Sequence, residues 1–246
     1  MRAPIRIGTS GWEYPHWVGS FYPRDLARER RLEFYADRFD TVELNNSFYR
    51  LPDAEVFSRW AKRVPQRFAF AVKASRYLTH VRRLREPDEP LRRLWSRADR
   101  LGNHLGPMLY QLPPRWRPNY DRLAAFLASI PRERLQAIEI RDRRWYGPQL
   151  TGMLADASVA LCLHDMPESS SAPVRVGPFL YVRFHGAGER YGGAYSAQRL
   201  TAWAARMAVW SEQGSPVWAY FNNDIGGHAI RDADRLRSLL RRRGVT

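Results

Sequence analysis

The chain has 246 residues, of which 44% are hydrophobic and 13% aromatic, so it can bury a substantial core and lacks the composition of a disordered protein. Its 40 basic residues outnumber its 25 acidic residues, and the net charge of +15 predicts attraction to anions. Because Cys162 is the one cysteine of the sequence, an internal disulfide is excluded. Its place in an apolar run indicates a core position.

The chain enters a strand pattern at Ile5 without a basic-then-apolar leader, and no apolar run approaches the length of about 18 residues that a membrane span requires. We therefore expect a soluble, cytoplasmic protein with no membrane partner. The positive charge has two readings, a solvated arginine-rich surface or a nucleic-acid surface, and composition alone leaves both open.

Short β-rich runs alternate with amphipathic stretches along the chain. The predicted strands, in chain order, are Ile5–Ser10, Thr41–Asn45, Phe68–Lys73, Met108–Leu112, Gln136–Arg141, Val159–His164, Phe179–His185 and Val217–Asn222. The predicted helices between and after them are Leu26–Arg38, Ala54–Val64, Pro90–Leu101, Tyr120–Ser129, Gly147–Asp156, Ala197–Gln213 and Ala229–Arg242.

The connection from Met166 to Pro178 is rich in Ser, Pro and Gly and has little room for a helix. Alternation and length together predict an α/β protein, a single (β/α)8 TIM-type barrel domain over residues 1–246 with a degenerate sixth βα connection. A doubly wound open sheet is the alternative, but no Gly-rich phosphate fingerprint follows the first strand.

Polar residues recur two apart at the predicted strand ends, where a barrel carries its active site. The pairs and triplet are Glu43 with Asn45, Glu139 with Arg141, Arg183 with His185, and Tyr220 with Asn222 and Asp224. Since alternate residues of a strand point to the same side, these groups are predicted to line one pocket at the barrel mouth.

Lys73 ends the run AFAVK in a chain whose only other lysine is Lys62. A compact, titratable amine at this place suits a general base, a Schiff-base nucleophile or a phosphate ligand. A structural pairing with Glu43 or Glu139 is the competing interpretation.

The remaining site candidates follow from their chemistry. Carboxylates and imidazoles move protons, and arginines hold anions bidentately. The predicted catalytic residues are Lys73, Glu43, Glu139, His185 and Asp224. The predicted substrate-binding residues are Trp12, Tyr14, Asn45, Tyr49, Gln111, Arg141, Asp165, Arg183, Asn222 and Asn223.

No cofactor is predicted, although a divalent metal stays open. The side chains that could supply ligands are His164, Asp165, His185, Glu43, Glu139 and Asp224, without a compact ligand motif. The other histidines, His16, His80, His104 and His228, fall in predicted loops or helix ends, where an exposed or hydrogen-bonded histidine is the ordinary expectation.

A series of ordered motifs resembles a known family. The motifs are GTSGW at 8–12, FYP at 21–23, ELNNSFYRLP at 43–52, FAFAVKAS at 68–75 with TH at 79–80, LYQLPP at 109–114, EIRDRRW at 139–145, YVRFHG at 181–186 and YFNND at 220–224. Together they resemble the YecE-like family, the domain of unknown function 72. The resemblance implies a (β/α)8 barrel and leaves the reaction open.

We therefore expect an enzyme that acts on an anionic substrate, phosphorylated or sugar-containing, by acid/base chemistry at the barrel mouth. The alternative is a nucleic-acid binding or processing protein whose aromatic loops stack on bases beside the same basic pocket. A binding module without turnover is the third interpretation.

Overall fold

The computed structural model describes residues 2–166, 171, 174–186, 188 and 191–245. It contains eight strands, which form one sheet in the order β1-β8-β7-β6-β5-β4-β3-β2. Their bounds are β1 Ile5–Thr9, β2 Thr41–Leu44, β3 Ala69–Lys73, β4 Leu105–Gln111, β5 Gln136–Glu139, β6 Ala160–Asp165, β7 Leu180–Phe184 and β8 Val217–Phe221.

Helices lie between most of these strands and after the last one. They are α1 Arg31–Ala36, α2 Asn46–Tyr49, α3 Ala54–Ala61, α4 Asp88–Ala98, α5 Tyr120–Ser129, α6 Pro148–Asp156, α7 Ala197–Glu212 and α8 His228–Arg242. In addition, Tyr77–Val81 forms one π-helical turn. None of these helices, in the part of the chain that the structure describes, is long and apolar enough to cross a membrane.

The predicted fold class is confirmed. Parallel strands alternate with helices in the strand order of a (β/α)8 barrel, and all eight predicted strands are present. The expected degenerate sixth connection is also found, since its described residues, 166, 171 and 174–179, contain no helix.

The first helix is shorter than predicted. Sequence periodicity indicated Leu26–Arg38, but the backbone at Ala27 is extended and Arg28–Arg30 forms a 3-10 turn before α1 begins. The tighter turn therefore replaces the N-terminal part of the predicted helix.

The described chain divides into two compact units. The first unit contains the described residues of Met1–Val42, Leu163–Pro173 and Phe179–Thr246, and the second contains Glu43–Cys162 and Val174–Pro178. The single-domain assignment stays a prediction, and each unit is described by itself.

In the first unit, β8 pairs in parallel with both β1 and β7, so Ala219 lies beside Ile7 on one side and Val182 on the other. Aromatic rings fill the space around these strands. Phe184 and Phe221 stack with ring centroids 4.4 Å apart. Because the strands are covered by such side chains, the unit has its own apolar core.

In the second unit, β4 pairs in parallel with β3 and β5, and β5 pairs with β6. Tyr110 of β4 is fully buried, meets Phe126 of α5 edge to face at 4.9 Å and donates a 2.9 Å hydrogen bond to Gln136. Successive residues of a strand point to opposite faces of the sheet. Gln111 therefore faces away from this helix-covered side.

Gly8 in β1 allows a close approach of two backbones in the first unit. A Cβ atom added there would lie 2.1 Å from the carbonyl oxygen of Thr41 and 3.1 Å from the Tyr35 hydroxyl. Gly152 lies within α6, where an added Cβ would meet nothing within 4 Å. The two glycines thus differ in steric requirement.

We predict that Gly8→Ala lowers the free energy of unfolding by about 3 kcal/mol, because strand-paired backbone cannot move aside. The control Gly152→Ala should raise it by about 0.5 to 1 kcal/mol through helix propensity. Urea unfolding followed by circular dichroism measures both. Equal effects of the two substitutions would contradict the assigned strand contact.

Candidate active site

Five side chains of the second unit form the Lys73 cluster, which we define as Lys73, His80, Gln111, Glu139 and Arg141. Lys73 ends β3, Gln111 ends β4 and Glu139 ends β5, with Gln111 opposite Glu139 in the parallel register. Register partners on neighbouring parallel strands point to the same face of a sheet. The strand pattern therefore brings these C-terminal ends together.

A buried ion pair lies at the end of β5. The Arg141 Nε donates to Glu139 Oε1 at 2.5 Å, and the two side chains are 3% and 0% exposed. The i, i+2 spacing places both on the same side of the chain. Arg141 therefore brings a cation into the cluster without leaving the Glu139 carboxylate unpaired in a dry environment.

Two residues of α2, Ser47 and Phe48, contact Lys73. Its backbone oxygen accepts a 2.7 Å hydrogen bond from Ser47 of α2, and its Nζ lies 4.0 Å from the centre of the Phe48 ring. The residue is 6% exposed. A buried ammonium against an aromatic face is positioned by a cation–π contact.

Thr79 is a hydrogen-bond partner of the His80 ring. When the Thr79 hydroxyl donates its one hydrogen to the Ser75 carbonyl at 3.0 Å, its oxygen accepts from His80 Nδ1 at 2.9 Å. In the neutral ring, Nε2 is then the atom with the available lone pair. The ring also meets Phe48 edge to face, with centroids 5.0 Å apart.

His80 lies in an electropositive environment. Burial, followed by the charges of Lys73, Arg76 and Arg141, lowers the pKa of this imidazole to about 4 against the opposing effect of Glu139. His80 is therefore neutral at pH 7. The cations around the ring outweigh the carboxylate, which makes this a place where an anion would be favoured.

The other predicted residues of the second unit differ in burial. Glu43 at β2 is fully buried and Asn45 is half-buried. Tyr49 is 81% exposed, so its ring lies on the surface and is not packed within the cluster.

In the first unit, His185 follows β7 and is fully buried. One further backbone hydrogen bond extends the pairing of β7 and β8, from the Asn222 backbone N–H to the Phe184 carbonyl at 2.8 Å. This places the Asn222 side-chain amide 3.2 Å from His185 Nδ1. With the Asn222 nitrogen as donor, the neutral ring carries its proton on Nε2.

Asp224 of the first unit forms a second pair with a histidine. His16 Nε2 donates to Asp224 Oδ2 at 2.9 Å, and the Trp17 indole donates to Oδ1 at 2.7 Å. Burial raises the pKa of the Asp224 carboxyl, while His16 and Trp17 act in the opposite direction. Such a carboxylate fixes the orientation and tautomer of a histidine.

The remaining candidates of the first unit have varied surroundings. Both carboxylate oxygens of Asp165 accept hydrogen bonds from Arg199, at 2.8 and 2.7 Å. The fully buried Asn223 donates a 2.8 Å hydrogen bond to Asp232. Arg183 and Trp12 are buried, whereas Tyr14 is half-buried. The Asn223 bond connects the end of β8 to α8, and its substrate contact stays a prediction.

No group of three or more His, Cys, Asp or Glu side chains converges on a potential metal position within the described ranges. The six side chains considered as metal ligands include Asp165 and Asp224, which instead contact Arg199 and His16. The structure thus gives no positive indication of a cofactor.

Sequence reasoning missed His16 and His80. Each contacts a site candidate only through the tertiary fold; His16 and Asp224 are 208 residues apart in sequence. A signal for His80 was nevertheless present, because the Thr79-His80 dipeptide belongs to the family motifs.

The strand order and the polar strand ends define a (β/α)8 protein with buried titratable groups. A family model described as "Protein of unknown function DUF72" matches residues 6–246, and the chain belongs to this family. The chain is 28% identical to UPF0759 protein YunF of Bacillus subtilis over 96% of this chain and 94% of that protein. It is 31% identical to UPF0759 protein YecE of Escherichia coli K12 over 58% of this chain and 50% of that protein.

Solved structures agree on the fold. A DUF72 family protein from Thermotoga maritima superposes with a TM-score of 0.88 at 25% identity, over 97% of this chain and 99% of that one. A D-psicose 3-epimerase from Clostridium cellulolyticum has a TM-score of 0.50 at 12% identity, over 98% and 99% of the two chains, which is likeness of fold alone.

We predict that His80 contributes a pH dependence to stability. Its pKa is about 4 when folded against 6.5 ordinarily, so below pH 6.5 the unfolded chain takes up a proton that the folded chain does not. The stabilisation is complete above pH 6.5 and is lost as the pH falls toward 4. His80→Gln should flatten the unfolding free energy over this range.

NMR titration of the His80 ring tests the cause. Arg76→Ala should raise the pKa of His80, whereas Arg92→Ala, which removes the same charge from α4, should leave it unchanged. A wild-type His80 that titrates near 6.5 would show that the electropositive surroundings are misassigned.

Proposed function

We propose that this protein is an enzyme that acts on an anionic substrate, phosphorylated or sugar-containing, by acid/base chemistry at the C-terminal ends of its strands. The observation that carries the proposal is the electropositive surrounding of His80, whose pKa is lowered by burial, Lys73, Arg76 and Arg141. Buried cations are screened little by solvent, so an anion that reaches them is bound strongly.

The Lys73 cluster also offers groups that could transfer a proton. In this proposal Lys73 and Arg141 hold the negative group, and Glu139 and the Nε2 lone pair of His80 face the reacting hydroxyl or carbon. An anion beside Lys73 and Arg141 would raise the pKa of His80 toward its ordinary value, because it offsets the charges that lower it. Substrate binding would therefore strengthen the base that acts on the substrate.

Anion binding can be tested with inorganic phosphate and ribose 5-phosphate as probes. Each should raise the thermal unfolding midpoint of the wild-type protein and move the His80 NMR titration upward. Lys73→Met should abolish both responses. Lys62→Met alters the other lysine of the chain, which is exposed, and should retain both.

Proton transfer can be tested without knowledge of the product. We expect the wild-type protein to incorporate solvent deuterium into a member of a panel of phosphorylated aldoses and ketoses, and Glu139→Gln to slow this exchange by about 100-fold or more. Phosphate binding that is indifferent to Lys73, or exchange that is indifferent to Glu139, would overturn the proposal.

A further inference from the structure

A second surface of the second unit combines exposed aromatic rings with arginines. Tyr49 of α2 is 81% exposed, and Tyr77 of the π-helical turn is 52% exposed. The two elements touch, since Phe48 of α2 meets His80 of the turn with ring centroids 5.0 Å apart. The exposed tyrosines therefore lie on adjoining segments, outside the buried Lys73 cluster.

The same segments carry a high density of positive charge. Residues 45–52 and 74–85 contain no acidic residue and five arginines, which are Arg50, Arg76, Arg82, Arg83 and Arg85. Arg82 pairs with Glu86, while Arg50, Arg76, Arg83 and Arg85 are exposed. We refer to Tyr49, Tyr77 and these four exposed arginines as the Tyr–Arg surface.

The backbone after the π-helical turn is held in an uncommon conformation. Arg83, Leu84 and Glu86 have φ angles of 49°, 63° and 43°. Leu84 is buried, and its amide donates to the Leu78 carbonyl at 3.0 Å, which anchors the bend. Non-glycine residues rarely adopt this region, and such strain is concentrated at functional sites. Arg83 and Arg85, on either side of the buried Leu84, are exposed.

We propose that the Tyr–Arg surface binds single-stranded nucleic acid. Exposed tyrosine rings stack on unpaired bases without sequence preference, and arginines pair with the phosphates between them. A duplex lacks exposed base faces, so the exposed rings favour a single strand. Arg76 also lies near His80, but the substitutions at Tyr49, Tyr77, Arg83 and Arg85 that test this surface leave the Lys73 cluster unchanged, so either proposal can fail alone.

The test is fluorescence anisotropy with a labelled single strand of about 15 nucleotides across a potassium chloride series from about 50 to about 200 mM. With four phosphate contacts, the logarithm of the observed association constant should fall with the logarithm of the salt concentration with a slope of about −3. Tyr49→Ala with Tyr77→Ala should weaken binding by about tenfold or more, whereas Tyr49→Phe with Tyr77→Phe should retain it. Both tyrosines are exposed, and circular dichroism checks that the variants fold.

The arginines are tested with a matched charge control. Arg83→Ala with Arg85→Ala should weaken binding and make the salt slope shallower by about 1 to 1.5. Arg241→Ala with Arg243→Ala removes the same charge from the C-terminal segment and should leave binding nearly unchanged. Equal losses in both pairs, equal affinity for duplex, binding of phosphatidylserine vesicles with the same tyrosine dependence, or no binding would each overturn the proposal.

Discussion

The parallel hydrogen-bonded register between β4 and β5 is the constraint on which the candidate site depends. It sets Gln111 opposite Glu139 and Tyr110 opposite Ile138, so the polar and apolar side chains of the two strands leave on opposite faces. A slip of one residue would move Glu139 into the layer where Tyr110 packs on Phe126. Because a charge there would be desolvated without a partner, the same register that forms the core also selects the position of the site.

Burial then determines what the polar groups can do. The Glu139–Arg141 pair is 2.5 Å long and almost wholly inaccessible, and such pairs contribute little net stability because desolvation offsets their attraction. An apolar pair of similar volume would serve the core as well. Net stability alone therefore does not account for the buried pair. Lys73 adds a further cation, and burial together with Lys73, Arg76 and Arg141 lowers the pKa of His80.

The sequence predicted the parts of this arrangement that follow from local periodicity. All eight strands were found because β-rich runs alternate with amphipathic stretches, and Glu139 with Arg141 was found because their spacing equals the strand period. The π-helical turn Tyr77–Val81 was missed because one extra residue per turn leaves no pattern that sequence reading recognises. His16 was missed because only the tertiary fold brings it to Asp224. Register, burial and contacts across long sequence separations require the folded chain.

Burial also distinguishes the two anion sites that we propose within the second unit. At the Lys73 cluster the cations are enclosed, so dissolved salt screens them little, and discrimination depends on shape and on the few groups that reach the ligand. At the Tyr–Arg surface the arginines are exposed, so their attraction extends into solvent but falls steeply with salt. The net charge of +15 increases the attraction of anions to both places, so it does not tell one place from the other. Salt dependence, more than affinity, is therefore the property that assigns an anionic ligand to one of the two places.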